Sequence, residues 1–184
     1  MRVIAGTARR LLLKTVDSDE TRPTTDRIKE TLFNMLQPYV PGAVFLDLFA
    51  GSGGIGIEAL SRGARRAVFV EQNKRAYECI RENLAHTRLE EKAVVLREDA
   101  FRSLYSLKRY APYDVIFMDP PYGRGMEKAM LEILAEGHVL HEDTLVVIEA
   151  ALETDFSYLD DLGYELVKNK EYKTNKHVFV RRRA

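Results

Sequence analysis

The stretch Asp47-Leu48-Phe49-Ala50-Gly51-Ser52-Gly53-Gly54-Ile55-Gly56 constrains the fold of this chain more than any other. It begins inside residues 44–48, whose near-continuous apolar character suits a strand buried on both faces. It runs into Ile57 and Leu60, spaced as on one face of a helix. Gly51, Gly53 and Gly56 fit G-x-G-x-x-G, and Glu71 stands twenty positions past Gly51. Glycines at such a junction let the backbone turn tightly and let a ligand approach the main chain, while the acid can accept hydrogen bonds from ribose hydroxyls. A nucleotide-type ligand over a strand–turn–helix unit is the expectation.

The alternation continues on both sides of this junction. Further strands are predicted at 67–70, 93–96, 114–118 and 145–149. Helices are predicted over 26–37, around Tyr77, Ile80 and Leu84, near 101–109 and over 126–136. Thr21-Arg22-Pro23-Thr24-Thr25 offers hydroxyl caps for the first helix, and Pro38 and Pro41 end it. Residues 2–5 and 10–15 predict a hairpin about the Gly6-Thr7-Ala8-Arg9 turn. Residues 164–167 and 177–180, with no helix between them, predict an antiparallel pair. The pattern is α/β: a doubly wound, mostly parallel sheet with helices on both faces. A hairpin extension (1–20) precedes the main domain (21–184). In such sheets ligands bind beyond the carboxyl ends of the strands, which directs attention to residues just after Leu48, Val70, Leu96 and Met118.

Those positions carry acids. A carboxylate at Asp47, just before the loop, would repel a pyrophosphate but suits a ligand with ammonium and sulfonium charges, such as S-adenosylmethionine; the charge logic disfavours NAD. Asp99 could accept an adenine amino group, with the adjacent Ala100 backbone meeting a ring nitrogen; a helix N-cap is its alternative role. Asp119-Pro120-Pro121-Tyr122 follows the fourth of these strands. Its prolines fix φ and remove two backbone donors. A carboxylate and a carbonyl can then hold both protons of an exocyclic amine while Tyr122 stacks on the base. Positioning and electrostatics would supply most of the acceleration of methyl transfer, with no metal required.

Together, DLFAGSGGIGIEAL and DPPY resemble the class I S-adenosylmethionine-dependent methyltransferases that modify exocyclic amines. RVIAGTARR and RPTTDRIKETLFN narrow the likeness to the RsmD type, the 16S ribosomal RNA guanine-N2 methyltransferases. The resemblance covers nearly the whole chain. It implies a Rossmann-like, seven-stranded sheet, with Asp47, Gly51 and Gly53 around the methionine part of the cofactor. Glu71 would meet the ribose, Asp99 and Ala100 the adenine, and Asp119, Pro120 and Tyr122 the guanine. Arg22, Thr24 and Arg27 would lie near cofactor or RNA, and the substrate would be a small-subunit particle already partly assembled. Tyr172-Lys173-Thr174-Asn175 departs from the glycine expected after the aromatic residue.

Charge refines the reading. The 184 residues hold 28 basic and 28 acidic side chains, which excludes a uniformly basic nucleic-acid coat. Residues 1–14 nevertheless carry four basic residues and no acid, and residues 168–184 carry seven against Glu171 alone. Arg9, Arg10 and residues 181–183 are therefore candidates to grip RNA phosphates. Arg22 and Arg27 could instead pair with Asp26 or Glu30. The four histidines show no metal-ligand spacing and are expected at the surface; the single Cys79 is expected in or near the core. No signal peptide or membrane span is read, so a cytoplasmic monomer is expected. The alternatives are a DNA adenine-N6 methyltransferase, an NAD-dependent oxidoreductase, and a non-catalytic RNA-binding protein of the same fold.

Overall fold

The computed structural model describes residues 1–16 and 25–183. Helix α1 (Asp26–Leu36) is capped by Thr25, whose side chain accepts a hydrogen bond from the Ile28 amide. Strands and helices then alternate: β1 (Val44–Leu48), α2 (Gly54–Ser61), β2 (Arg66–Val70), α3 (Lys74–Thr87), β3 (Ala93–Leu96), α4 (Leu104–Lys108), β4 (Tyr113–Met118), α5 (Met126–Glu136), β5 (Leu140–Ala151), β6 (Tyr164–Glu171) and β7 (Asn175–Arg182). They form one sheet ordered β3-β2-β1-β4-β5-β7-β6. The first five strands are mutually parallel, and β7 runs antiparallel to both β5 and β6. This is the doubly wound, Rossmann-like sheet expected. Strand β5 extends past the predicted 145–149 because β7 pairs Ala150 with Lys176 and Ala151 with Asn175. The helix expected near 101–109 is broken into a 3-10 turn at Ala100–Arg102 and the short α4.

Side-chain alternation along the strands divides the core in two. Phe45, Phe69, Val115, Phe117 and Val147 face α1, α2 and α3. Leu46, Leu48, Val68, Ile116, Met118 and Ile148 face α5 and the Leu107 side chain of α4. Gly56 permits the close seating of α2 on β2, since a Cβ there would lie 2.3 Å from the Phe69 ring.

The N-terminal segment belongs to the first of these cores: Val3, Ala8 and Leu13 are all buried in it. The expected strands at 2–5 and 10–15 reduce to a single antiparallel bridge between Arg2 and Leu12. The reason is a competing acceptor. The amides of Ile4 and Ala5 donate to Glu58 Oε2 and Oε1, at 2.8 and 3.0 Å, instead of to a partner strand. Glu58 also accepts from Arg62 Nε at 2.8 Å and pairs with the Lys29 ammonium at 3.4 Å, all within a fully buried site. Lys29 in turn donates to the Arg2 carbonyl. One carboxylate thus joins the N-terminal segment, α1 and α2.

Removing Glu58 would leave the Lys29 ammonium buried without its counter-charge. Glu58→Ala is expected to destabilise the fold by about 3–5 kcal/mol, read as a lower urea midpoint. A loss below about 1 kcal/mol would show that the cluster contributes little.

Candidate active site

The sheet order reverses between β1 and β4. Connections from the two strands leave to opposite faces, which makes the region beyond their carboxyl ends the switch point of the sheet, where ligands of such folds bind. Three carboxylates gather along this edge: Asp47 from β1, Asp119 directly after β4, and Glu149 from β5. Asp47 pairs in register with Phe69 and Phe117, so its side chain points towards α2. It is 2% exposed and accepts the Gly56 amide at 2.8 Å. Burial pushes its carboxyl up to about 8 against the pull of the Gly56 amide, and the charge of Glu71 adds to the rise.

Above Asp47 lies the glycine loop. Gly51 and Gly53 have φ of +56° and +81°, and the space beside the Gly51 Cα is open, with nothing within 4 Å of a built Cβ. Glu71 fastens this loop to β2, accepting the Gly51 amide on Oε2 at 2.9 Å and the Asn73 amide on Oε1 at 2.7 Å. Asp99 is the N-cap of the turn after β3, accepting the Phe101 amide at 2.9 Å, and Ala100 beside it is buried. The Phe101 ring meets Phe49 edge-on at 6.0 Å, closing the space between this turn and the loop. The sequence therefore anticipated both Glu71 and Asp99 at strand ends. The capping role of Asp99 is the alternative that the sequence offered; the hold of Glu71 on the loop backbone was not anticipated.

After β4, Asp119 is partly buried, Pro120 is buried, and Tyr122 is 45% exposed. Burial, Glu149 and Asp47 together hold the Asp119 carboxyl well above the usual carboxylate range. Glu149 was missed, although the strand-end rule applies to β5 as it does to the others. It is 4% exposed and accepts hydrogen bonds from Asn175 Nδ2 at 2.6 Å and the Tyr122 hydroxyl at 3.3 Å. Its second oxygen lies 3.1 Å from His177 Nε2. The other ring nitrogen of His177 is 3.1 Å from the Tyr172 hydroxyl. His177, expected at the surface, is fully buried, because β7 lies between β5 and β6 and the register sets it opposite Glu149. His86 and His138 are exposed as expected, and Cys79 is buried.

The basic residues fall elsewhere. Thr7 and Ala8 donate to the Ser61 carbonyl and hydroxyl at the far end of α2, which carries the exposed Arg9 and Arg10 to the amino edge of the sheet. Residues 181–183 reach the same edge, because β7 runs against β5. There Arg181 lies over the Tyr39 ring at 5.5 Å, Arg182 donates to the Ala135 carbonyl, and Arg183 pairs with Asp160 at 2.6 Å. Both basic ends thus lie along the amino edge of the sheet, opposite to the carboxyl edge that carries Asp119. Arg27 is exposed on α1; Asp26 pairs with Arg2 instead, at 2.8 Å. Arg22 and Thr24, and the expected domain boundary at 20/21, lie outside the described residues.

The Asp47 site generates a pH prediction for the free protein. The folded chain keeps the Asp47 proton up to about pH 8, whereas an unfolded aspartate loses it near pH 4. Asp47 therefore lowers stability progressively as pH rises between those values. Asp47→Asn retains an acceptor for the Gly56 amide and does not ionise. Its melting temperature is expected to exceed that of wild type, with the gap widening from pH 5 to pH 8; a constant gap would contradict the burial argument.

Known proteins share this arrangement. The family model described as Conserved hypothetical protein 95 matches residues 1–181. "Putative rRNA methyltransferase YlbH" of Bacillus subtilis is 45% identical over 156 residues, covering 84% of this chain and 85% of that protein. "Ribosomal RNA small subunit methyltransferase D" of Haemophilus influenzae is 35% identical, covering 92% of this chain and 88% of its own. Among solved structures, "Putative methyltransferase yhhF from Escherichia coli" superposes with a TM-score of 0.83 at 32% identity, covering 100% of this chain and 98% of the other. A match of this length, on relatives aligned through most of their own sequences, makes the chain a member of the Conserved hypothetical protein 95 family, the RsmD family to which its motifs point.

Proposed function

We propose that this chain transfers a methyl group from S-adenosylmethionine to the exocyclic N2 amine of a guanine in 16S ribosomal RNA. The observation that carries the reading is the Asp119-Pro120-Pro121-Tyr122 segment at the β1/β4 switch point, next to two further carboxylates. A cationic cofactor fits there better than an anionic one, since Asp47, Asp119 and Glu149 crowd three carboxyl groups beneath an open glycine loop, and a nearby positive charge favours their ionisation. When bound, S-adenosylmethionine supplies a methyl carbon on a cationic sulfur, which takes the amine lone pair while the carbon–sulfur bonding electrons remain on sulfur. In this reading Asp47, Gly51 and Gly53 surround the methionine part, Glu71 meets the ribose, and Asp99 with the Ala100 backbone meets the adenine.

The acceptor amine is held by two protein acceptors, the Asp119 carboxylate and the Pro120 carbonyl, one for each N–H. Tyr122 stacks on the base with its exposed ring face. Holding both protons reduces conjugation of the nitrogen lone pair with the ring and aims it at the methyl carbon. The nitrogen then carries one proton more than the neutral product retains. Asp119, whose proton affinity is raised by its surroundings, takes it. No metal enters this chemistry.

The target guanine must leave its stack to reach this site. The name of the Haemophilus influenzae relative, a small-subunit ribosomal RNA methyltransferase, supports 16S ribosomal RNA as substrate; in this reading the RNA is met within a partly assembled particle by a cytoplasmic monomer. Arg9, Arg10 and Arg27 are exposed cations suited to phosphate contact; Arg22 and Thr24 belong to the same reading from sequence alone.

Calorimetry is expected to detect S-adenosylmethionine binding and no NAD binding. Asp119→Ala is expected to retain cofactor affinity and lose at least 100-fold in turnover, roughly the contribution of a positioned proton acceptor. Turnover near wild type would refute the role. Nucleoside mass spectrometry of cells lacking the protein should show loss of one N2-methylguanine from 16S ribosomal RNA; loss of N6-methyladenine from DNA would favour the DNA enzyme instead.

The basic ends separate by the same logic. Replacing Arg9 and Arg10 with Ala is expected to reduce the slope of log affinity against log salt by about 1 to 2. Neutralising residues 181–183 is expected to lower stability and leave the slope intact, because those guanidinium groups already have partners within the chain.

A further inference from the structure

Behind the Asp119 loop lies a buried polar chain that the reaction as described does not use. It runs from the Tyr172 hydroxyl to His177, from His177 to Glu149, and from Glu149 to Tyr122. A carboxylate can only accept, so His177 Nε2 carries the proton shared with Glu149, and Nδ1 is left to accept the Tyr172 O–H. Asn175 completes the arrangement by donating to Glu149 Oε1, although its own buried Oδ1 has no hydrogen-bond partner. A buried amide held at that cost is rarely accidental.

We propose that Glu149, held by His177 and Asn175, is a positioning residue for the methyl-transfer reaction, fixing the Tyr122 ring through its hydroxyl and setting the charge beside Asp119. The inference rests on the reading of Asp119 and Tyr122 given above. Three observations support it. The Tyr122 ring is 45% exposed, and its hydroxyl is tied to the buried Glu149 and to Asn175, which Glu149 itself holds, so this pair sets its angle. Glu149 is itself immobilised from both sides, on strands whose register sets it opposite His177. Glu149 also stands beside Asp119 as a like charge, which raises the proton affinity of Asp119 in addition to burial.

The groups facing this pair come from every neighbouring element: Asp47 from β1, Tyr122 from the loop after β4, His177 and Asn175 from β7, and Tyr172 before it. Burial pushes the Tyr172 hydroxyl up to about 12, with Glu149 adding to the rise, so it stays a donor throughout the working range. The Lys176 ammonium is turned away, donating to the carbonyls of Leu152 and Thr154 at 2.9 and 2.8 Å.

The test compares three variants of the full chain on the same RNA particle substrate. Tyr122→Phe keeps the stacking ring and loses the hydroxyl; kcat is expected to fall about tenfold, with RNA KM changed less than threefold and the acid limb of the kcat profile unmoved. Glu149→Gln keeps the shape and removes the charge; the acid limb is expected to move to lower pH by about one unit, because Asp119 loses a like-charged neighbour. Carboxyl NMR of Asp119 in the free protein should titrate lower in the same variant, a readout independent of turnover. Tyr122→Phe turning over like wild type overturns the inference, as does a Glu149→Gln profile and Asp119 titration identical to wild type. Asp119→Ala separates the levels: its activity near wild type would overturn the underlying reading, whereas an inactive Asp119→Ala beside an unaltered Glu149→Gln overturns this inference alone.

Discussion

Burial of carboxylates against incomplete compensation organises this molecule. Asp47, Asp119 and Glu149 sit within one stretch of sheet edge, and each raises the cost of ionising a neighbour. Glu58 offers the contrast. It is fully buried, yet two amides, a guanidinium and an ammonium surround it. A compensated carboxylate serves as a structural joint. Asp47 and Asp119, whose proton affinity is raised by burial and by neighbouring carboxylates, are the opposite case, and this difference separates the two ends of α2.

The division extends to the N-terminal segment. Its position follows from Glu58 drawing in the Ile4 and Ala5 amides and from Val3 filling the first core. That docking lays residues 1–13 along α2, with Met1 against Gly54 near the glycine loop and Arg9 and Arg10 at the opposite edge. The extension therefore stiffens the helix whose first turn supports the loop, and it displays cations well away from the chemistry. Net charge of zero conceals this separation: acids at the carboxyl edge, arginines at the amino edge.

Much of this was legible from residue order. The glycine junction, the strand runs and the capped helix α1 rest on local rules, which need only neighbours a few positions apart, and β1, β3 and α5 fall where those rules place them. Asp47, Glu71, Asp99 and Asp119 were found because the carboxyl end of a parallel strand is a sequence-visible address. Glu149 had the same address and was passed over. The hairpin forms but stays short: Val3, Arg10 and Leu13 donate across it to Leu11, Val3 and Met1, while a carboxylate more than fifty residues away takes the Ile4 and Ala5 amides.

His177 marks the boundary between the two kinds of information. Polar Asn175 and Lys176 precede it and apolar Val178 and Phe179 follow, so local order leaves its face undecided; insertion of β7 between β5 and β6 buries it against Glu149. The same is true of residues 181–183, which local charge offered as candidates to grip RNA phosphates and which antiparallel pairing brings to Tyr39, Ala135 and Asp160. The sequence by itself determined the alternating elements, the glycine loop and the acids at four strand ends, because those depend on local spacing. Only the tertiary structure decided which carboxylates share a dielectric environment, which are compensated, and where the basic ends lie, because those depend on strand order and register between residues distant in the chain.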